Sequence, residues 1–248
     1  VSLDLDLLTV NLWGLPWPVA RERRGRKRRL ADHLADRSYD LVGIQELWRP
    51  WHRAFETRDL VLPRSRRDSG LALAARFPVS EVRVEHFRHH RGIDRLKRKG
   101  VLMTVVETPA DAELSVCVVH LQAGSRFGAV RSGQLEELLA ALGRTTRPTV
   151  LMGDFNFYRG NEEDRRSAAR LHEAGFVDAA PALSRGEDTY SSTNPYVRRR
   201  GIANRFDRVY LRDARDLRLQ PVEVDVLRPE PRPFSDHHPL RVRVRLSA

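Results

Sequence analysis

Cysteine is almost missing from this sequence. The one residue, Cys117, has no partner for an intrachain disulfide, so stability has to come from a hydrophobic core, which 248 residues are enough to enclose. Cys117 lies inside the apolar run 116–119, where a free thiol acts as a small buried hydrophobe. A reducing compartment and a disulfide-free secreted protein both fit. No run comes near the roughly 18 apolar residues that span a bilayer. We therefore expect a soluble chain, cytoplasmic or secreted with its signal removed. No signal-peptide pattern is visible, but a chain that starts at Val1 rather than Met says little on that point.

Lysine is the second scarcity. It occurs only at Lys27, Lys97 and Lys99, within a combined Lys and Arg count of 44 against 33 Asp and Glu, for a net charge of +11. Such a surface suits polyanions: nucleic acid, anionic lipid or phosphorylated small molecules. GC-rich coding alone also yields arginine in place of lysine. Two basic blocks rise above this background. The block 21–29 opens an expected helix, where charge reads as a solvated face. The block 88–99 lies between expected strands and contains His89 and His90, close to His86. Fixed-period repeats are absent, as is low-complexity sequence apart from these blocks and the Pro-rich loop 229–233.

Apolar periodicity supplies the layout. A strand over 3–10 is followed by a helix over 21–36. Strands follow at 41–44, at 71–75 and 79–87 with a turn at Phe77 and Pro78, and at 101–107 and 114–120. A helix over 127–142 stops near Gly143. The second half continues with a strand over 148–154, a helix over 161–174 and strands near 205–211, 217–227 and 239–246. Many strands with a few long helices between them predict an α/β (α+β) chain, two packed sheets with helices outside.

The chemistry sits where apolar runs end. The run 150–153 stops at Asp154, with Asn156 two residues on; strand alternation would put both side chains on one face. A turn is the competing reading of this segment, since Asp and Asn are turn formers. Three more runs end in polar residues: 7–10 at Asn11, 40–44 at Gln45 and Glu46, and 116–119 at His120. Ser235, Asp236, His237 and His238 stand just before the strand 239–246. Together these residues form a coherent inventory for hard-metal phosphodiester chemistry. No half of the chain carries the whole set, so residues 1–248 are expected to form a single catalytic domain.

At this point the chain resembles the endonuclease/exonuclease/phosphatase superfamily, which shares the fold of deoxyribonuclease I. Asn11 stands in the first-strand Asn motif, Gln45 and Glu46 in the QE motif, and His120 in the central His motif. Gly153 to Asn156 match GDxN, Asp207 matches the late-strand Asp, and Ser235 to His237 match SDH. Within the superfamily the look is of neutral sphingomyelinases and related bacterial phosphodiesterases, on Asn11 to Pro16, Lys99 with Gly100, Arg131 with Gln134, and Thr193 to Tyr196. The resemblance implies a four-layer sandwich of two mixed β-sheets flanked by helices. It also implies a monomeric Mg²⁺-dependent phosphodiester hydrolase, with Mn²⁺ or Ca²⁺ as substitutes. The substrate it favours is a phospholipid, as in a sphingomyelinase; the alternatives are a nuclease acting on DNA or RNA, then a phosphomonoesterase or an inactive binding module.

Roles follow from the resemblance and from general chemistry. Glu46 is the principal metal ligand, with Asn11 beside it and Asp236 contributing through water. His237 is the general base, oriented by Asp207 on its other ring nitrogen. Asp154 and Asn156 position the nucleophile and the phosphoryl oxygens, and His120 donates a hydrogen bond to the phosphate. His238 leaves a register ambiguity that the triplet match resolves toward His237. Lys99 is either the cation of a mobile loop over the phosphate or one more solvated charge. Asn194, Tyr196 and Trp13 are candidate pocket residues. The four tryptophans, Trp13, Trp17, Trp48 and Trp51, cluster near Asn11 and Glu46. They would hold a quaternary ammonium group or enter a lipid interface if exposed, or pack under the loops if not. Peripheral contact with an anionic membrane or another polyanion fits the charge.

Overall fold

Strands that bury both faces need apolar residues at every position, and alternate residues then serve different layers. The computed structural model describes residues 2–16, 18–36, 39–48, 60–61, 68–143, 145–182, 187–214, 216–229 and 232–248. The first half contains β1 (Ser2–Asn11), α1 (Arg23–Asp36), β2 (Leu41–Gln45), β3 (Leu60–Val61), β4 (Ala72–Ala75), β5 (Val79–His86), α2 (Asp94–Lys97), β6 (Gly100–Glu107) and β7 (Glu113–His120). The second contains α3 (Gly128–Leu142), β8 (Thr149–Asp154), α4 (Glu162–Glu173), β9 (Val177–Asp178), α5 (Ala179–Ala182), β10 (Tyr190–Ser191), β11 (Ala203–Asn204), β12 (Asp207–Arg212), β13 (Arg218–Val226) and β14 (Leu240–Ser247).

Two six-stranded sheets result, in the orders β13-β14-β1-β2-β4-β3 and β5-β6-β7-β8-β12-β9. Both are mixed. β1 runs parallel to β2 and β7 parallel to β8, while the other described pairings in these two sheets are antiparallel. Leu5 and Leu7 of β1 meet Val116, Val118, Val150 and Met152 of the opposite sheet. Leu8 and Val10 point the other way, into a cluster with Leu30 and Leu34 of α1. On the second sheet Cys117, Val119 and Leu151 pack with Leu135 and Leu138 of α3 and Leu171 of α4. The expected helix–sheet–sheet–helix sandwich is therefore present. Each fully buried aliphatic side chain contributes roughly 1.5–3 kcal/mol relative to exposure. The sheets approach closely at Gly43, where a Cβ would come to 3.0 Å from the Met152 sulfur.

The long elements lie within a residue or two of their expected ends. Strands of two residues (β3, β9, β10, β11) and helices of four (α2, α5) carry too few residues to show a period and were not expected. α4 shows its start signal plainly: the Asn161 side chain accepts from the Asp164 N–H, acidic residues fill the first turn, and Arg170 and His172 fill the last. α1 departs from expectation in one respect. Its basic block is not uniformly solvated, because Arg26 and Lys27 are buried.

Candidate active site

The site is the polar continuation of the layer between the sheets. Reading β7 by twos gives Leu114, Val116, Val118 and then His120; β8 gives Val150, Met152 and Asp154; β12 gives Leu211, Val209 and Asp207. On β1 the same face runs Leu5, Leu7, Thr9 and Asn11. Register brings these ends together. Asn11 lies opposite Gln45, His120 opposite Asp154, Asp207 opposite Asp154, and Thr9 opposite Leu240, which follows the 235–238 segment. At 0–3 % exposure, Asn11, His120, Asp154 and Asp207 are as buried as the leucines before them. Burial at that level requires that their polar atoms find partners.

Asp154 is the hub. Its Oδ2 accepts from Asn11 Nδ2 at 2.9 Å and lies 3.4 Å from His120 Nε2 and 4.0 Å from His237 Nε2. Its Oδ1 accepts the Asn156 backbone N–H at 2.9 Å. The expectation that Asp154 and Asn156 share a strand face is corrected here. β8 ends at Asp154, Gly153 has φ +144° and Asn156 φ +51°, so the segment turns sharply. The Asn156 amide reaches the Leu121 carbonyl at 3.1 Å instead. The turn reading of the segment is the one the backbone adopts, and the turn places the pair.

Glu46 follows the same logic. It comes one residue after β2 in the left-handed region (φ +58°), which breaks the strand alternation. Gly14 packs on its backbone, and a Cβ there would overlap the Glu46 carbonyl oxygen. The carboxylate is 6 % exposed, and its Oε2 is shielded with no hydrogen-bond partner. Asn11 Oδ1, by contrast, accepts from the Trp13 N–H at 2.8 Å.

The 235–238 loop supplies the remaining groups. His237 Nδ1 stands 2.8 Å from Asp207 Oδ2, so the pair fixes the ring with Nε2 facing Asp154. Ser235 Oγ donates to Asp236 Oδ1 and accepts from the His237 N–H. His238 bonds through its backbone N–H to the Thr189 carbonyl. The geometry favours His237 over His238 as the partner of Asp207.

Several supporting residues escaped the sequence reading. Arg26, fully buried, donates to the carbonyls of Arg21, Leu12, Phe234 and Trp13, which ties the loop after β1 to the loop before His237. Thr189 Oγ1 accepts the N–H groups of Phe206 and Asp207. The Tyr190 ring packs 5.0 Å from that of His237. Arg131, one of the residues carrying the resemblance, is buried in a two-bonded pair with Asp164 and donates to the carbonyls of Gln122 and Gly124, bracing the loop after His120. The only sequence signal for Arg26 is its position on the apolar face of α1, one turn before Leu30.

The candidate pocket residues fare differently. Lys99 is neither mobile-loop cation nor solvated charge: at 3 % exposure, its ammonium pairs with Asp94 at 3.0 Å and donates to the Leu121 carbonyl at 2.7 Å. Asn194 is spent on structure, donating to the Ser235 carbonyl and accepting the Tyr196 N–H. The Tyr196 hydroxyl donates to Glu22 and accepts from Arg29, and its ring lies 5.9 Å from Trp13. Trp13 is half-buried and already covers a cation, the Arg26 guanidinium at 4.8 Å from its ring centroid. Trp48 packs against Gly70 and Gly14. Trp17 and Trp51 lie outside the described residues.

Charge is unbalanced among these buried groups. Burial lowers His237, but Asp207, Asp154 and Asp236 together more than offset it and hold the imidazole up to about 10. Burial and the neighbouring Glu46 charge push Asp236 up to about 6. Asp154 is raised by burial and by Asp207, whereas His120 is held well below its usual range by burial and the Lys99 charge, and so is neutral. Three carboxylates around the His237 ring, Asp207, Asp154 and Asp236, with a shielded Glu46 oxygen left unpaired beside Asp236, fit a hard divalent cation. Among the described residues no group of three His, Cys, Asp or Glu side chains is arranged to hold a metal ion by itself. A cation held by one or two carboxylates and completed by water and substrate suits that donor set.

Comparisons with known proteins bear on the family and the fold. The model of the Endonuclease/Exonuclease/phosphatase family matches residues 8–237. A putative neutral sphingomyelinase of Caenorhabditis elegans is 28% identical over 179 residues, 62% of this chain and 41% of that protein. The chain spans about two-fifths or less of the length of the curated relatives it matches. A D. rerio TDP2 structure in complex with a single-strand DNA product superposes with TM-score 0.80 at 19% identity, covering 97% of this chain and 98% of that one. Sphingomyelinase C from Streptomyces griseocarneus does so with TM-score 0.72 at 20% identity, covering 97% and 99%. These likenesses establish the deoxyribonuclease I-like fold.

Proposed function

We propose, since this chain belongs to the endonuclease/exonuclease/phosphatase family, that it is a divalent-metal-dependent phosphodiester hydrolase with Mg²⁺ as its metal and a phospholipid as its substrate, residues 1–248 acting as one catalytic unit. Dependence on a divalent metal is general in this family. The observation that carries the reading is the Asp207–His237 pair, 2.8 Å apart, with the free ring nitrogen of His237 facing Asp154 at 4.0 Å.

When bound by Glu46, with Asn11 and Asp236 near it, the cation supplies positive charge to the phosphoryl oxygens. Against the effect of burial, Asp207, Asp154 and Asp236 hold His237 up to about 10, and a cation held there would bring it down toward the range of a general base. Asp207 keeps the Nδ1–H of His237 engaged, leaving Nε2 to take the proton of a water positioned by Asp154 and Asn156. That water forms the new P–O bond as the P–O bond to the leaving group breaks, and the departing alkoxide takes up a proton from solvent. Neutral His120 offers one N–H to the phosphate, and Lys99 adds its field from beneath the Leu121 carbonyl.

Support for a phospholipid substrate comes from the curated relatives, which carry sphingolipid phosphodiesterase names. Support for a nucleic-acid substrate comes from the net charge of +11 and from the DNA product in the TDP2 structure. Trp13, already stacked on Arg26, is a poor candidate for a quaternary ammonium site. The test is a panel of bis-p-nitrophenyl phosphate, p-nitrophenyl phosphate, sphingomyelin vesicles and single-stranded DNA, assayed with Mg²⁺ for wild type and His237→Ala. Hydrolysis of the first and third that vanishes in the variant is expected. An inert wild type with Mg²⁺, Mn²⁺ and Ca²⁺ would refute the enzyme reading, and cleavage of DNA alone would overturn the lipid one.

A further inference from the structure

The arginines of this protein divide into two populations. Those on the strands and outer helices are largely paired: Arg147 with Glu81 and Glu113, Arg166 with Glu162 and Glu163, Arg205 and Arg208 with Asp178, Arg241 with Asp6, Arg245 with Asp4. A second set, Arg91, Arg95, Arg98 and the triplet Arg198, Arg199 and Arg200, makes no ion pair among the described residues. Topology places this set at the end that carries the site. The loop 87–99 leads into β6, whose Val101 lies beside Val119, one residue before His120. The triplet lies in the 192–202 loop between β10 and β11, and β10 carries the Tyr190 that packs on His237.

The same loop carries the two most exposed large apolar side chains among the described residues, Ile93 at 70% and Leu96 at 82%. They sit on or beside α2, interleaved with Arg91, Arg95 and Arg98. The loop is not slack beneath them. The Arg91 N–H bonds to Gln122, Asp94 accepts from the Ala123 N–H and pairs with Lys99, and Glu137 accepts the N–H groups of Arg88 and His89. Rigid anchoring of the base with two aliphatic side chains held out into solvent costs free energy unless an apolar phase receives them.

We propose that this face docks on the surface of an anionic phospholipid bilayer, Ile93 and Leu96 entering the acyl boundary while Arg91, Arg95 and Arg98 engage lipid phosphates, so that the end of the molecule carrying His237 faces the membrane. The inference rests on the phospholipid reading of the site. Two signals acting together suit reversible attachment: a short apolar insertion and a basic rim, each too weak alone. A nucleic acid would use the arginines but has no use for exposed aliphatic tips, since bases stack on aromatic rings.

The test is co-sedimentation of the full chain with vesicles of phosphatidylcholine alone or with 30% phosphatidylglycerol, on the His237→Ala background as well as wild type, so that binding is read without turnover. Wild type and His237→Ala are expected to bind the anionic vesicles and release them in high salt. I93S/L96S should lower the partition coefficient by about tenfold or more, and R91A/R95A/R98A should abolish the preference for anionic lipid. Both variants should keep wild-type turnover of soluble bis-p-nitrophenyl phosphate. Anionic-vesicle binding that is unchanged in I93S/L96S overturns the proposal. So does binding of a single-stranded oligonucleotide that depends on the arginines when vesicle binding is absent. Loss of bis-p-nitrophenyl phosphate hydrolysis in the wild type itself would instead refute the function proposed above, leaving the vesicle result standing on its own.

Discussion

Replacing Arg26 by alanine tests whether a buried arginine, rather than any catalytic group, sets the geometry of the site. Its guanidinium spans carbonyls from three segments: Arg21 at 2.8 Å, Leu12 at 2.6 Å and Trp13 at 3.0 Å beside Asn11, and Phe234 at 3.2 Å beside Ser235. Among the described residues no carboxylate hydrogen-bonds to it; burial depresses its pKa while Asp236 and Glu46 act against that depression. Bonds from a charged donor contribute about 1.5–3 kcal/mol each before the cost of burying the charge. That cost, several kcal/mol, offsets much of the sum. Removal of the side chain leaves four carbonyls facing a polar hole that water fills in part. The expected net loss is about 3–5 kcal/mol, within the range seen when one partner of a buried network is deleted. Urea unfolding followed by fluorescence measures it. With both loops released, kcat/KM on bis-p-nitrophenyl phosphate should fall roughly 100-fold, the effect of an ångström-scale misplacement. Arg26→Lys keeps the charge but offers one nitrogen to three segments, and should recover less than half of either loss. A stability change under about 1 kcal/mol with unchanged kcat/KM in Arg26→Ala would refute the clamp.

Asp207→Asn should fold normally yet lose roughly 10²–10⁴ in kcat, because His237 forfeits the carboxylate that orients it; activity within threefold of wild type would remove Asp207 from the mechanism. In chelator the protein should lose stability with rising pH. His237, at about 10 in the fold against 6.5 unfolded, keeps its full contribution below 6.5 and loses it as pH passes 10, an upper bound of about 5 kcal/mol. Mg²⁺ should raise the denaturation midpoint at pH 8 and Glu46→Gln should cancel that rise, as calorimetry can show; a flat profile between pH 7 and 10 in chelator contradicts the charge assignment. Gly153→Ala combines φ +144° with a Cβ that overlaps the Val119 carbonyl and should cost more than about 4 kcal/mol or prevent folding. Gly160→Ala, at φ +80° with nothing within 4 Å, should cost only about 1 kcal/mol of backbone strain on the same denaturation assay.

The long strands and helices were legible because period two and period 3.6 are local properties of ten or more residues. Asn11, Glu46, His120 and Asp154 stand out in the sequence because they end apolar runs, where a polar side chain has no structural need; His237 stands before such a run, and Asp207 is marked by the resemblance alone. Arg26 was not legible in this way. Its place on the apolar face of α1 hints at burial but not at its carbonyl partners, Leu12 and Phe234, which come from opposite ends of the chain. Lys99 was misread for a related reason, since its neutralising Asp94 sits across a left-handed turn at Arg98 rather than at helical spacing.

By itself the sequence determined the layers, through the alternation that sends Leu7 to one core and Leu8 to another, and it determined which residue types stand at the strand ends. Whether those ends meet was decided only in three dimensions. Sheet register sets Asp154 beside both His120 and Asp207, and the packing of one sheet on the other brings Asn11 to within 2.9 Å of Asp154 from 143 residues away. Positive φ at Glu46 and Asn156 then turns two side chains out of the directions that strand geometry alone would give them. Periodicity is a property of neighbours in the chain, whereas charge balance, burial and hydrogen-bond partnership belong to neighbours in space.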